Sequence, residues 1–277
     1  MSYQSPLRAL EVVIDDSNAE RLCPSDGVTV INGEIMCRGR MPRDWSKQGF
    51  CSMRGSSSLP SSMMIPRSQW TDRAKKMEET QSRVSDVMLQ SGLKSLNQSN
   101  TNYCWTNGVV TGIEAMLAMN NAMYYSLSSA SVAAKIKNYR NQGGWGGDAL
   151  EYIVEHGICS VDLWPANYWQ NSKYDTTESK AQRAKNKVTE WFDLRARNFD
   201  ELFCCLLHRI PVAVGYNWWG HEVCAIDPVV LGNNQYGIRF RNSWGESYGD
   251  KGFNILAERK ATPDDACAAR VSMVSAS

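Results

Sequence analysis

The stretch Gln98-Ser99-Asn100-Thr101-Asn102-Tyr103-Cys104-Trp105 decides how the chain reads. A glutamine stands six residues before a cysteine, a tryptophan follows it, and a helical pattern begins at once. Trp105, Val109, Ile113, Met116 and Leu117 recur at helical spacing, while Gly108, Gly112 and Ala115 form a second, small-residue face. This pattern predicts a helix buried on most sides, with backbone packed closely on its small face. A cysteine at the first turn of such a helix sits where the helix dipole, and a nearby imidazolium, favour its thiolate.

Two later segments complete a chemical set. Gly220-His221-Glu222-Val223 carries one of three histidines, and Arg241-Asn242-Ser243-Trp244-Gly245 carries an amide. His221 is a candidate base and Asn242 a candidate orienter of its ring. Gln98 and the Cys104 backbone N–H are candidate donors to the oxygen of a tetrahedral intermediate. With Cys104 as nucleophile, the four side chains suit acyl transfer through a thiolate.

Working outward, Pro211–Val214, Val223–Ile226, Tyr236–Phe240 and Phe253–Leu256 read as strands. Asp148-Ala149-Leu150-Glu151 reads as a capping box opening a helix that ends near Gly157. Thr71–Leu93 has polar helical character, and Phe199–His208 is a helical run with Cys204 and Cys205 as small core residues. Toward the N-terminus, Asn32-Gly33 between Val28–Ile31 and Ile35-Met36-Cys37 is a hairpin signal. The Ser-rich stretch at 55–62 reads as a linker or exposed loop. The expected class is α+β in two lobes, helical at about 95–165 and β-rich at about 166–277, with a cleft between them. Residues 63–277 form the expected main domain, and residues 1–62 an N-terminal extension without an assigned role.

Composition narrows the function. The net charge is +1, with 43% hydrophobic and 21% charged residues. That balance argues against broad electrostatic attachment to nucleic acid or to an acidic membrane. No apolar run reaches membrane-spanning length, and Met1–Pro6 lacks the apolar stretch of a secretory signal. A soluble cytoplasmic protein is the expectation, with residence in a virion left open. The nine cysteines contain no CxxC pair, so buried thiols are expected rather than a metal site.

The chain resembles the papain-like cysteine proteases (peptidase family C1). Besides the four residues above, Leu127-Ser128 is similar to the start of that family's L-S-E-Q segment, and Gln142-Gly143-Gly144-Trp145 to its N-G-G segment. Ala149–Ile153 through Trp164-Pro165 resembles A-F-E-Y-I…Y-P. Phe199–Val214 resembles the helix leading into G-P-V-x-V, and Asn242–Gly245 with Gly249–Phe253 resembles N-S-W-G-x-x-W-G-x-x-G-Y. The resemblance runs from about residue 95 to 257. It implies a papain-like fold with a helical left lobe and a β-barrel-like right lobe. It implies a cysteine endopeptidase that needs no cofactor or metal and acts on peptide or protein substrates. By the same resemblance Cys104 is the nucleophile, His221 the base and then acid, Asn242 the orienter and Gln98 the oxyanion donor. Trp105 and Trp244 support them, Trp244 by shielding the His–Asn contact. Gly143 and Gly144 would pair with an extended peptide, and Trp145, Gly220 and Glu222 would line its binding pocket. Glu222, where the family more often has a small residue, would favour a basic side chain there or else face solvent.

Departures accompany the match. Thr101, Asn141 and Lys135 stand where the family's secreted members carry disulfide cysteines, which implies a reducing compartment. The Cys–His separation of 117 residues is short for the family. The first 90 or so residues do not resemble its inhibitory propeptide; a docking arm toward a partner or larger assembly, an unfamiliar inhibitory segment and a cap on the cleft all stay open. Two other readings share the fold: a structural or assembly module, as in a viral or phage particle, with weak or no proteolysis, and acyl transfer to an amine rather than to water.

Overall fold

The computed structural model describes residues 3–24, 29–120 and 126–270. The first 62 residues carry β1 (Val13–Ile14), α1 (Ala19–Leu22), β2 (Thr29–Ile31), β3 (Glu34–Met36) and β4 (Ser56–Ser57). Helices follow: α2 (Trp70–Glu79), α3 (Val84–Gln90), α4 (Cys104–Met119), α5 (Ser129–Ile136), α6 (Gly146–His156) and α7 (Thr177–Lys185). The last third holds β5 (Glu190–Leu194), α8 (Phe199–Leu207), β6 (Val212–Tyr216), β7 (His221–Gly232), β8 (Gln235–Arg241), β9 (Phe253–Ala257) and β10 (Asp265–Arg270). Among the described residues, eight strands form one sheet in the order β1-β9-β8-β7-β6-β10-β5-β4. Pairing is antiparallel except for β1 on β9 and β4 on β5, the two edges, which are parallel. No described helix is long and apolar enough to cross a membrane.

Helix α4 joins the lobes. Its apolar face packs Trp105, Val109, Ile113 and Leu117 with Ala133 of α5, Leu150 and Ile153 of α6, and Trp164. Each fully buried side chain of this size contributes roughly 1.5–3 kcal/mol. Its small face lies on β7: a Cβ at Gly108 would sit 3.3 Å from the Val223 carbonyl oxygen, and one at Gly112 3.5 Å from the Cys224 sulfur. Glu114, inside this packing, accepts the Leu127 N–H at 2.8 Å, and burial pushes its carboxyl up to about 8. Helices α2 and α8 form a second core with the sheet, where Trp70 stacks on Phe203 at 4.2 Å and meets Tyr236 edge-on.

Several local expectations need correction. Val28 lies outside the described residues, and the hairpin is β2–β3 turning through Asn32 and Gly33, both at positive φ. The Ser-rich stretch is not a loop throughout, because Ser56 and Ser57 pair with Trp191 and Phe192 and Leu59 is buried. Edge pairing uses backbone groups, so the serine side chains are no obstacle. Helix α6 begins at Gly146, before the expected box, and Asp148 accepts a hydrogen bond from Gln48 instead of capping. Thr71–Leu93 divides into α2 and α3. Strands β5 and β10 went unanticipated.

Residues 1–62 are bound into this sheet by backbone and charge. Apart from β1 and β4, Glu11 pairs with the buried Arg239 and Arg43 with the buried Asp193.

Candidate active site

Cys104 opens α4, with Tyr103 as the residue before the helix. The Tyr103 hydroxyl donates to the Arg140 carbonyl at 2.9 Å, and the Asn102 N–H donates to Asn141 Oδ1 at 2.6 Å. These bonds hold the turn before the nucleophile against the loop that carries Gly143 and Gly144. Beneath that loop lies Trp105: a Cβ at Gly144 would fall 2.6 Å from its indole ring. A glycine is therefore required for the backbone to reach the cleft floor.

The sheet supplies the other half. His221 is the first residue of β7, and its Nε2 lies 2.8 Å from Asn242 Oδ1, just beyond β8. The Asn242 side-chain oxygen also accepts the Ser243 N–H at 2.8 Å, which fixes the amide's orientation. Trp244 stacks on the imidazole at 4.6 Å, and Trp219 meets it edge-on at 4.8 Å. The two indoles cover the His–Asn contact. Trp219 is fully buried.

Gln98 ties the halves together. Its N–H donates to the Ser243 carbonyl at 2.8 Å, its Oε1 accepts the Ser243 hydroxyl, and its Nε2 is left to donate toward the cleft. Cys104, His221, Asn242 and Gln98 are all buried, and Ser243 links the His221–Asn242 pair to Gln98.

With this geometry in view, the comparisons are direct. Residues 90–225 match the model of the papain family of cysteine proteases. Over those residues, just under half of its length, the chain is similar to that family. Curated relatives include Cathepsin L 2 of Paramecium tetraurelia, 26% identical over 176 residues, covering 58% of this chain and 54% of the relative. Cysteine protease Amb a 11.0101 of Ambrosia artemisiifolia is 25% identical over 205 residues, covering 66% and 50%. The chain thus spans about half the length of these relatives. Among solved structures, xylellain, a cysteine protease from Xylella fastidiosa, superposes with a TM-score of 0.62 at 14% identity, covering 89% of this chain and 99% of that one. Procathepsin L2 from Tenebrio molitor larval midgut gives 0.56 at 20% identity, covering 64% of each.

In this papain-like fold the cleft is already filled, by the chain itself. Residues 37–41, directly after the β2–β3 hairpin, run across the candidate site as an extended arm. Gly144 donates to the Gly39 carbonyl at 2.9 Å, and Met41 N–H donates to the Gly144 carbonyl at 2.8 Å, a parallel bridge centred on Arg40. Arg40 N–H donates to the Gly220 carbonyl at 3.3 Å, and Gln98 Nε2 donates to the Cys37 carbonyl at 2.8 Å. Gly39 N–H points at the Cys104 sulfur at 3.3 Å. Three backbones are layered here: a Cβ at Gly39 would sit 2.0 Å from the Asn102 carbonyl oxygen, and one at Gly143 2.2 Å from that of Gly39.

The arm alters the electrostatics of the pair. Burial pushes the Cys104 thiol up to about 12, with the Glu222 charge adding to it. Burial depresses His221 to about 3, against the pull of Asn242. Both groups are neutral at pH 7, and His221 Nδ1 makes no hydrogen bond. Trp145 and Glu222 are buried too; Trp145 packs its ring under the Arg43 guanidinium at 4.2 Å. The resemblance pointed to Gly143 and Gly144 as backbone partners of a peptide and to Gly220 as lining its pocket; in this structure Gly144 and Gly220 bond to residues 39–41. Sequence reading missed Gly39, Arg40 and Asp265, for which Gly39 between two arginines after a hairpin was the only signal.

Proposed function

We propose that the chain is a cysteine endopeptidase, acting through Cys104, His221, Asn242 and Gln98, and that residues 37–41 hold it latent. The observation that carries this reading is the joint one: a nucleophile at a helix start, an oriented imidazole, and a cleft whose wall binds extended backbone. In the open state His221 takes the thiol proton, and the thiolate attacks the substrate carbonyl carbon. Gln98 Nε2 and the Cys104 N–H receive the developing oxyanion, a contribution worth about a hundredfold or more in rate per donor. His221 then returns its proton to the leaving amine, and a thioester remains. Water attacks the thioester with His221 again as base, releasing the acid and the free thiol.

The arm supports latency for a chemical reason. What faces the sulfur is an N–H group and not a carbonyl carbon, so the covering chain offers no electrophile. A second reading, a papain-like fold kept as an assembly module, draws on the covered, un-ionised thiol. Intact mass after exposure to a papain-class epoxide separates the two, run on the full chain and on Gly39→Val, with Cys104→Ala as control. A single adduct that Cys104→Ala abolishes, accompanied by peptide cleavage, is expected. A chain with an open cleft, as judged by Cys104 accessibility, that neither labels nor cleaves peptides would overturn the peptidase reading.

A further inference from the structure

The Arg40 side chain leaves the cleft floor and enters a pocket between the sheet and the start of α6. Its guanidinium pairs with Asp265 and donates to Asn217 Oδ1, and the residue is 6% exposed. The pocket is built by strand register. Gly215 of β6 lies directly opposite Glu222 of β7 on one side and Asp265 of β10 on the other. Directly paired residues project from the same face, so two carboxyl groups flank a glycine gap, their strands roughly 9–10 Å apart. A side chain at position 215 would close that gap: its Cβ would sit 2.2 Å from Arg40 Nε and 2.7 Å from Asp265 Oδ1. Glu222 is 1% exposed, accepts the Gly146 N–H at 3.2 Å through Oε2, and leaves Oε1 without a partner.

We infer that this pocket selects a basic side chain in bound peptides, arginine above all, with Asp265 as its charge determinant and Glu222 as a second acidic wall. Arg40 is the arm's imitation of that ligand. The physical ground is counter-charge. Two buried carboxyl groups share this space, and Arg40 pairs its guanidinium with one of them, Asp265. An apolar occupant would leave both acids desolvated without compensation, and an acidic one would add repulsion. The fork of a guanidinium also reaches two acceptors at once, as here with Asp265 and Asn217, where an ammonium is a point charge. This inference rests on the cleft being a peptide-binding site, but its test does not require catalysis.

The test uses the full chain and reads modification of Cys104 by a small thiol reagent, mapped by peptide mass spectrometry. Arg40→Lys is expected to stay protected. Arg40→Met, of similar length without charge, and Asp265→Asn are each expected to raise the rate at least about tenfold, the loss of one charge pairing. The double variant is expected to be no faster than the faster single one, since both remove the same contact. Arg40→Met as protected as the wild type would overturn the inference, and the urea midpoint of the same variant distinguishes a released arm from an unfolded chain. In the Arg40→Met protein, short peptides carrying Arg, Leu or Glu at one position are then added as competitors. Protection of Cys104 by the Arg peptide at about tenfold lower concentration than the Leu peptide is expected, with the difference lost in Arg40→Met/Asp265→Asn. Equal or better protection by the Leu peptide would overturn it. Arg-selective protection without any peptide cleavage would count against the peptidase reading alone, and cleavage with a Leu preference against the pocket alone.

Discussion

Arg40 and Arg43 stand three residues apart and are held in opposite ways. The Arg43 fork binds both oxygens of Asp193 at 2.7 and 2.8 Å, and its remaining N–H groups reach the Gln48 and Gly49 carbonyls. Trp45 and Trp145 lie against the same guanidinium at 4.0 and 4.2 Å. Every polar group there is answered. Around Arg40, by contrast, Nε has no partner and neither has Glu222 Oε1. A permanent anchor satisfies all its groups; a pocket whose occupant must leave keeps some unmatched, since each added bond would slow departure. The arm is pinned on both sides and loosely seated in between.

Breaking the anchor should cost most. Arg43→Ala leaves Asp193 buried and uncompensated, and is expected to lower stability by about 3–5 kcal/mol in urea unfolding. Breaking the seat should instead change access. Gly39→Val cannot fit beside the Asn102 carbonyl, so the arm lifts: Cys104 is expected to react on the order of a hundredfold faster, equivalent to about 2.7 kcal/mol, with a far smaller change in the urea midpoint. An unchanged rate would show that the seat is not what protects the thiol.

The pH dependence sharpens the same contrast. With its thiol pushed up to about 12 by burial, Cys104 in the intact chain is un-ionised throughout the working range. Because the thiolate is the reacting form, its modification rate is expected to climb about tenfold per pH unit from pH 6 to 10 without a plateau. In Gly39→Val the profile should flatten at lower pH, as the exposed thiol meets His221. A plateau below pH 9 in the intact chain would contradict burial as the cause. The smallest effect is the control: the exposed pair Arg67–Asp200, at 2.7 Å with both side chains more than two-fifths exposed, should change stability by less than about 1 kcal/mol when Arg67 is replaced by alanine.

The candidate site was legible because its chemistry is carried by rare residue types in fixed local contexts. Cys104 at a helix start, His221 at a strand start and Asn242 before Ser-Trp-Gly each announce themselves. The arm was not, because backbone groups do its work: Gly39 and Gly144 act by lacking side chains. Strand β10 hid for another reason. It lies between β6 and β5 in the sheet, and its Ala266, Cys267, Ala268 and Ala269 are small where both faces are covered, so the β-branched signature of a strand is missing. Asp265 opens that strand, and nothing in its neighbours marks it as a pocket residue. The Ser56–Ser57 edge was misread on composition, although a parallel edge pair needs only extended backbone.

Because the arm is tied down at Arg43 as well as by β1, it is a bridge and not a tail. An inhibitor held at both ends stays near its target at an effective concentration in the millimolar range, however weak its own contacts. The same five residues supplied as a free peptide should therefore look feeble. A single backbone cut between Arg40 and Arg43 would turn the bridge into a leash, whose free end can diffuse away and be outrun by a substrate. Latency in this molecule is thus a property of connectivity more than of affinity, and one broken bond in a short stretch of chain is enough to end it.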